Sequence, residues 1–405
     1  MKIYQVGGAV RDKLLGHPSK DKDWVVVGAT PDMLLELGYT PVGRDFPVFL
    51  HPTTREEYAL ARTERKTEAG YTGFSVYAAP DVTLESDLQR RDLTINAMAK
   101  DDDGQLIDPF NGLADLQAGI LRHVSPAFVE DPVRILRVAR FAARFDFNVA
   151  EETLDLMSKM VENGEVDALV AERVWQETVK ALVEPQPQKF FELLRHCGAL
   201  ARIFPEIDNL FGVPQLLKPH PEIDTGVHVM LSLQQARRKT NDSQVLFAVL
   251  THDLGKGTTP PDEWPYHSNY EEHGIELVET LCQRYRVPSQ HRFLAILVAR
   301  YHEHCHHIAE LTPEILLNAL ESLDAFRRPQ RFEQFLLASE ADSRGRDGFS
   351  EQPYPQADMF RQAFEIAHQV KVFAIQADGF HGAEIKEELR RRRIQALAPY
   401  FPKAL

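Results

Sequence analysis

Cysteine is scarce in this 405-residue chain, and the scarcity excludes two arrangements at once. Cys197, Cys282 and Cys305 stand far apart with no CxxC spacing, so neither a disulfide framework nor a thiolate zinc site is expected. They read as reduced core or surface residues. Long hydrophobic runs are missing too: no stretch approaches the roughly eighteen uninterrupted apolar residues of a membrane span. The N-terminus meets Arg11, Asp12 and Lys13 before any signal-like apolar core develops, so a cytoplasmic enzyme without a membrane partner is expected. Basic charge is in deficit, the formal net charge being -14. That balance argues against a nucleic-acid partner for the molecule as a whole, because phosphate neutralisation by Lys and Arg dominates such affinity. Local clusters qualify the argument. Arg90-Arg91, the series Arg134, Arg137, Arg140 and Arg144, and the run Arg390 to Arg393 can each form a basic patch on an acidic body, or a solvated helix face.

Short β-branched segments mixed with turns such as Asp103-Gly104 and Asn111-Gly112 fill the chain to about residue 125 and predict a small sheet packed with helices. From Asp131 onward helical periodicity takes over, with helices expected over Pro132 to Phe145, Glu152 to Glu162, Glu172 to Val183 and Gln188 to Cys197. Breaks at Phe204-Pro205, Lys218 to Pro221 and Gly345 to Pro355 mark boundaries.

Two aspartates one residue apart, Asp21 and Asp23, head the apolar run Trp24 to Val27. In a strand such residues share a face, so the carboxylates converge where a hard divalent cation such as Mg²⁺ can sit. Upstream, Ile3 to Val6 reads as a strand ending in Gly7-Gly8 and feeding a short helix, Ala9 to Leu15, closed by Gly16. Backbone amides and the helix dipole there suit a phosphate chain. A DxD alone is more often a turn or a solvated strand end; strand, glycine pair and helix together point to metal-dependent nucleotidyl transfer, in which metal ions bridge a triphosphate.

Asp131 and Arg134 add a base-reading possibility. Three apart on a helix, they offer an acceptor beside a donor, which matches the exocyclic amine and ring nitrogen of cytosine and adenine. Uracil or guanine would leave buried polar groups unsatisfied at about 1–3 kcal/mol each. The plainer alternative is that Asp131 caps a helix begun by Pro132 and Arg134 merely pairs with it. Arg134, Arg137, Arg140 and Arg144 fall within an arc of about 120° on a largely apolar helix, so phosphates or carboxylates are expected beside them.

Gly7 to Asp12, the DKD of Asp21 to Asp23, RRDLTINA at Arg90 to Ala97, DPFNG at Asp108 to Gly112 and EDPVRILR at Glu130 to Arg137 follow one another in order. Over roughly the first 210 residues this series closely resembles bacterial class II CCA-adding tRNA nucleotidyltransferases. The resemblance implies an α+β, polymerase-β-like head with a small mixed sheet, then an all-α neck and body, with tRNA, CTP and ATP as partners. It also implies nucleotide contacts from Gly8, Arg11, Arg91, Arg137 and Arg140, and ribose recognition by Asp92 and Asn96. Salt bridging within the head is the competing role for these groups. Thr63 to Phe74, with Gly70 and Gly73, would be the loop associated with switching from C to A addition.

The second half holds His252-Asp253-Leu254-Gly255-Lys256, with His228 upstream and His302 and Asp342 downstream, and resembles an HD phosphohydrolase module. Such a set suits a transition metal, Ni²⁺ or another divalent ion, that generates hydroxide for phosphoester hydrolysis. A Gly-His-Glu often found past the pair is replaced by Asn269-Tyr270-Glu271, so one metal is expected at His228, His252, Asp253 and Asp342, with His302 on the phosphate or a weak second ion. His267 or His273 can substitute, and the tract His302, His304, His306 and His307 offers additional nitrogen, though most of it reads as exposed helix surface.

The expected organisation is a head at 1–138, a neck and body at 139–215 that bind nucleotide and tRNA, an all-α HD domain at 216–345 and a helical tail at 346–405. Monomer and weak homodimer both stay open. Rival readings are a poly(A) polymerase of the same superfamily, an HD-containing uridylyltransferase acting on a signalling protein, and a binding protein with a dead head.

Overall fold

The computed structural model describes residues 1–17, 22–42, 48–66, 74–216 and 223–401. They divide into two compact units, Met1–Ala181 with Lys189–Ile203, and Leu182–Gln188 with Phe204–Leu405. The first unit is built on a mixed seven-stranded sheet: β1 (Lys2–Val6), β2 (Asp23–Val27), β3 (Thr40–Val42), β4 (Val48–Leu50), β5 (Glu57–Leu60), β8 (Ala99–Lys100) and β9 (Leu106–Ile107). The strand order is β3-β4-β5-β2-β1-β8-β9, with β2 and β5 parallel. Alternation on β2 sends Val25 to a core with Val6, Leu88 and Ala97, and Val26 to the opposite core with Leu34, Phe49 and Leu60.

Where a loop was expected over Thr63 to Phe74, its two ends instead form an antiparallel ribbon, β6 (Thr63–Lys66) with β7 (Phe74–Tyr77). Gly70 and Gly73 lie outside the described residues. Beyond the sheet the unit is helical, its central rod being Val133–Phe145. Asp131 Oδ1 accepts the Val133 amide at 3.1 Å, and Asp146 ends the helix in the left-handed region.

In the second unit the helices Thr225–Lys239, Ser243–Thr251, Ser289–His306 and Pro329–Arg344 pack on one another. Tyr270–Arg284 lies on the short turn Leu254–Thr258. A Cβ at Gly255 would sit 1.8 Å from the Tyr270 carbonyl oxygen, so only glycine permits this close approach. The tail helices are Pro355–Gln369, Val372–Ala377 and Glu384–Leu397. Arginines 390 to 393, expected as a basic patch or a solvated face, are engaged within the chain. Arg390 bonds Glu321 and Asn318, Arg391 and Arg392 share Glu388, and Arg393 lies 3.9 Å from the Phe326 ring centre. Among the described residues no helix is long and apolar enough to cross a membrane.

Candidate functional site

Asp23 opens β2 directly opposite Val6, the residue before the Gly7-Gly8 turn, and lines a cleft of about 580 Å³. Asp21 lies outside the described residues, so the convergence of two carboxylates is described only from the Asp23 side. Gly7 has φ 69°, and a Cβ there would come within 2.8 Å of Arg91 Nη1. Glycine thus lets the Arg91 guanidinium lie against the turn, while Arg91 Nη2 bonds Asp87 at 3.1 Å and Nε is buried without a hydrogen-bond partner.

Among the described residues nine arginines line this cleft against three carboxylates, Asp23, Asp92 and Asp131. Arg11, Arg137 and Arg140 gather around one aromatic ring, their guanidinium carbons 5.1, 5.6 and 4.7 Å from the centre of Phe141. Burial lowers the pKa of Arg11, and ion pairing with Asp12 opposes that effect. Each of the other two keeps one edge on a carboxylate: Arg137 Nε on Asp92 at 2.8 Å and Arg140 Nε on Glu177 at 2.6 Å. Arg144 does the same with Asp12 at 3.1 Å. Phosphate binding at such a cleft starts from arginines already oriented.

Asp92 and Asn96 both line the cleft and are bonded to neighbouring groups. Asp92 takes its own neighbour's amide from Leu93 at 2.9 Å, Asn96 Nδ2 at 2.9 Å and Arg137 at 2.8 Å; Asn96 Oδ1 accepts from Arg11. Burial alone would raise the Asp92 pKa, but Arg137 and these hydrogen bonds outweigh it and hold the carboxyl well below its usual range. Both side chains orient arginines in this structure.

Asp131 and Arg134 both line the cleft, yet their recorded bonds run to other groups. Arg134 donates to the carbonyls of Ala127 at 2.8 Å and Arg90 at 2.6 Å, whereas Asp131 is gripped on both oxygens by Arg173, at 3.1 and 2.8 Å. Arg173 and Glu177 were missed in the sequence. They lie on the helix Ala171–Leu182, one turn apart, and only the fold brings them to Asp131 and Arg140. The spacing Arg173, Glu177 on a periodic helix was the available signal.

The second unit carries a different kind of site. His252 closes the helix Ser243–Thr251 and Asp253 begins the next turn, so the pair straddles a helix end. Ligand atoms of His228, His252 and Asp342, and of His252, Asp253 and His302, lie within 4.8 Å of one another, all five residues being buried. His252 and His302 each fix Nδ1 on a backbone carbonyl, Val249 at 2.7 Å and Val298 at 2.8 Å, which turns Nε2 to the centre. His252 Nε2 lies 3.3 Å from Asp253 Oδ2, and neither it nor Asp253 Oδ1 makes a well-formed hydrogen bond, an arrangement that a cation taking both atoms would satisfy. Burial disfavours a charged His252, but Asp253 and Asp342 outweigh it and push its pKa up to about 9. The cluster therefore favours positive charge at its centre, and its donor set fits a divalent transition metal.

Tyr270 occupies the place where a further histidine was looked for, its hydroxyl 3.1 Å from His302 Nε2. Neither substitute serves: His267 bonds the Pro214 carbonyl at 2.8 Å and Thr259 at 2.7 Å, and His273 is exposed. His306, in a tract read mostly as surface, is drawn inward, with Nε2 2.6 Å from Asp342 Oδ2. Helical pitch held the signal, since His302 and His306 share a face while His307 points to solvent.

Residues 3–122 match the family described as the poly A polymerase head domain, and residues 146–211 match a probable RNA and SrmB-binding site of polymerase A. The first unit is therefore a nucleotidyltransferase head with its adjoining helices, a family whose chemistry implies a divalent metal such as Mg²⁺. Over 98% of both chains, the sequence is 63% identical to the multifunctional CCA protein of Nitrosococcus oceani. It is 62% identical, over 98% of both, to that of Thioalkalivibrio sulfidiphilus. The chain belongs to the multifunctional CCA protein family. Its fold is shared with a CCA-adding enzyme solved in an apo form, at a TM-score of 0.67 and 21% identity over 97% of this chain and 87% of that one. The Thermotoga maritima CCA-adding enzyme complexed with tRNA gives a TM-score of 0.64 at 20% identity, over 98% and 87%.

Proposed function

We propose that this chain is a cytoplasmic enzyme that rebuilds the 3′-terminal CCA of tRNA from CTP and ATP without a nucleic-acid template. The observation that carries the reading is the cleft in which Asp131 and Arg134 lie with eight further arginines and Asp23 among the described residues. Arg11, Arg91, Arg137 and Arg140 bind the triphosphate, Gly8 lets it approach the turn, and Asp92 with Asn96 hold the arginines and meet the ribose. Asp131 accepts the exocyclic amine of C or A while Arg134 donates to the ring nitrogen. The divalent ion that Asp21 and Asp23 would hold supplies Lewis-acid chemistry at the attacking hydroxyl and the triphosphate. The division into head 1–138, neck and body 139–215, HD domain 216–345 and tail 346–405 belongs to the same proposal. A tRNA lacking CCA, incubated with CTP and ATP, should gain three nucleotides; a poly(A) polymerase would ignore CTP and continue adding A.

The second unit supports an additional activity, an HD phosphohydrolase acting on 2′,3′-cyclic phosphates, 2′-nucleotides or related ends. His228, His252, Asp253 and Asp342 would hold one transition metal, Ni²⁺ or another divalent ion, with His302 beside the phosphate. The orphaned His252 Nε2 and Asp253 Oδ1 support this reading. Such an ion supplies a hydroxide at neutral pH. Metal analysis should find one tightly held ion per wild-type chain and none at this site in Asp253→Ala; more than one, or undiminished content in the variant, contradicts it.

A further inference from the structure

A second cavity, of about 400 Å³, adjoins the histidine–aspartate cluster. Three of its lining residues each touch one cluster member: Lys256 bonds Asp253 at 2.8 Å, His306 bonds Asp342 at 2.6 Å, and Tyr270 bonds His302 at 3.1 Å. Anything bound in the cavity thus lies within one side chain of the metal ligands. Its volume falls at the lower end of small-molecule sites and suits a single nucleotide.

Unsatisfied polar atoms collect on its walls. Gln215, 4% exposed, gives Oε1 to Lys256 at 2.8 Å and leaves Nε2 buried without a partner. Arg346 Nε and Gln356 Oε1 are likewise buried and without a hydrogen bond. Buried polar groups in a folded protein are almost always paired, so three orphans lining one cavity mark groups whose partner comes from a ligand. Two of them are donors, one carried by a guanidinium, and these match phosphate oxygens. The third is an amide acceptor, which matches an exocyclic amine or a ribose hydroxyl. At the rim Tyr266 is 75% exposed, an aromatic face held out to solvent beside a polar pocket.

We infer that this cavity is a mononucleotide pocket serving the adjacent metal cluster, in which Arg346 and Gln215 hold the phosphate, Gln356 reads the sugar or base edge, and Tyr266 stacks on the base. The inference rests on the phosphohydrolase reading and names the residues that select its substrate. Base stacking on an aromatic side chain contributes enough that its loss weakens binding about tenfold or more. The charge-assisted contact of Arg346 is of comparable size or larger.

The test uses the full chain loaded with Ni²⁺ or Mn²⁺, with 2′,3′-cyclic AMP and the non-aromatic ester glycerol 2-phosphate as substrates. Arg346→Ala should raise KM about tenfold for both, and Tyr266→Ala should raise it about tenfold for cyclic AMP only. Extension of tRNA by both variants should match wild type, which shows that they fold. Unchanged KM for both variants, or an equal rise for both esters in Tyr266→Ala, overturns the pocket. Should wild type hydrolyse neither ester, the phosphohydrolase reading fails, and calorimetry with 2′-AMP decides the pocket separately. Binding weakened by Arg346→Ala and by Tyr266→Ala upholds it; binding indifferent to both overturns it.

Discussion

The arginine cleft of the first unit and the histidine–aspartate cluster of the second solve opposite electrostatic problems. In the cleft cations are in excess, nine arginines against three carboxylates among the described residues, and several are held in place by carboxylates at their edges or behind them. Such a site awaits anions and spends little reorganisation in receiving them. In the cluster the ligands are neutral or anionic, buried, and partly orphaned, and His252 is driven toward protonation to supply the missing charge. That site awaits a cation.

The sharpest way to break this comparison is to remove one site and measure both activities. Asp23→Ala should lower tRNA extension by on the order of 10³-fold while leaving cyclic phosphodiesterase activity within about twofold. Asp253→Ala should do the reverse, releasing the bound metal and lowering hydrolysis by on the order of 10²-fold or more with extension intact. If either variant abolished both activities in a folded protein, the two sites would not be separable.

A test of positioning in the cleft comes next. Asp92→Asn removes the charge that holds Arg137, at a cost of about 2 kcal/mol, less than the about 3–5 of a fully buried pair because Arg137 is partly exposed. The Asp92 carboxyl is depressed below its ordinary value of 3.8, so its contribution is complete above that pH and is lost as pH falls through the folded-state value. The difference in urea midpoint between wild type and variant should therefore be largest near neutrality and shrink in acid. A difference that grows below that pH would reverse the sign of the argument. The smallest effect is expected at Arg173. Arg173→Ala frees Asp131 from its bidentate clamp and should raise misincorporation of UTP or GTP by about tenfold, measured by sequencing the extended tRNA.

Local chemistry made part of this legible in advance. The strand, glycine turn and helix at Lys2 to Leu14 follow from β-branched and glycine placement, and the arginine face of Val133–Phe145 from helical pitch. The five cluster residues, His228 to Asp342, were picked out through the resemblance of His252 to Lys256 and its distant partners to an HD module, and the fold brings them together. What sequence could not supply was partner choice across long separations. Arg173 grips Asp131 from 42 residues away and Tyr270 meets His302 from 32, and only packing decides such pairs. Which histidine of the tract His302 to His307 turns inward was likewise left to packing, and it is His306, on the helix face it shares with His302.

The central claim is that protein side chains select the added nucleotides. Incubation of tRNA lacking CCA with equal CTP, ATP, UTP and GTP, followed by sequencing of the new 3′ ends, tests it directly. The expected product is CCA followed by arrest; runs of A, or incorporation of U or G at frequencies comparable to C and A, would rule out selection by side chains.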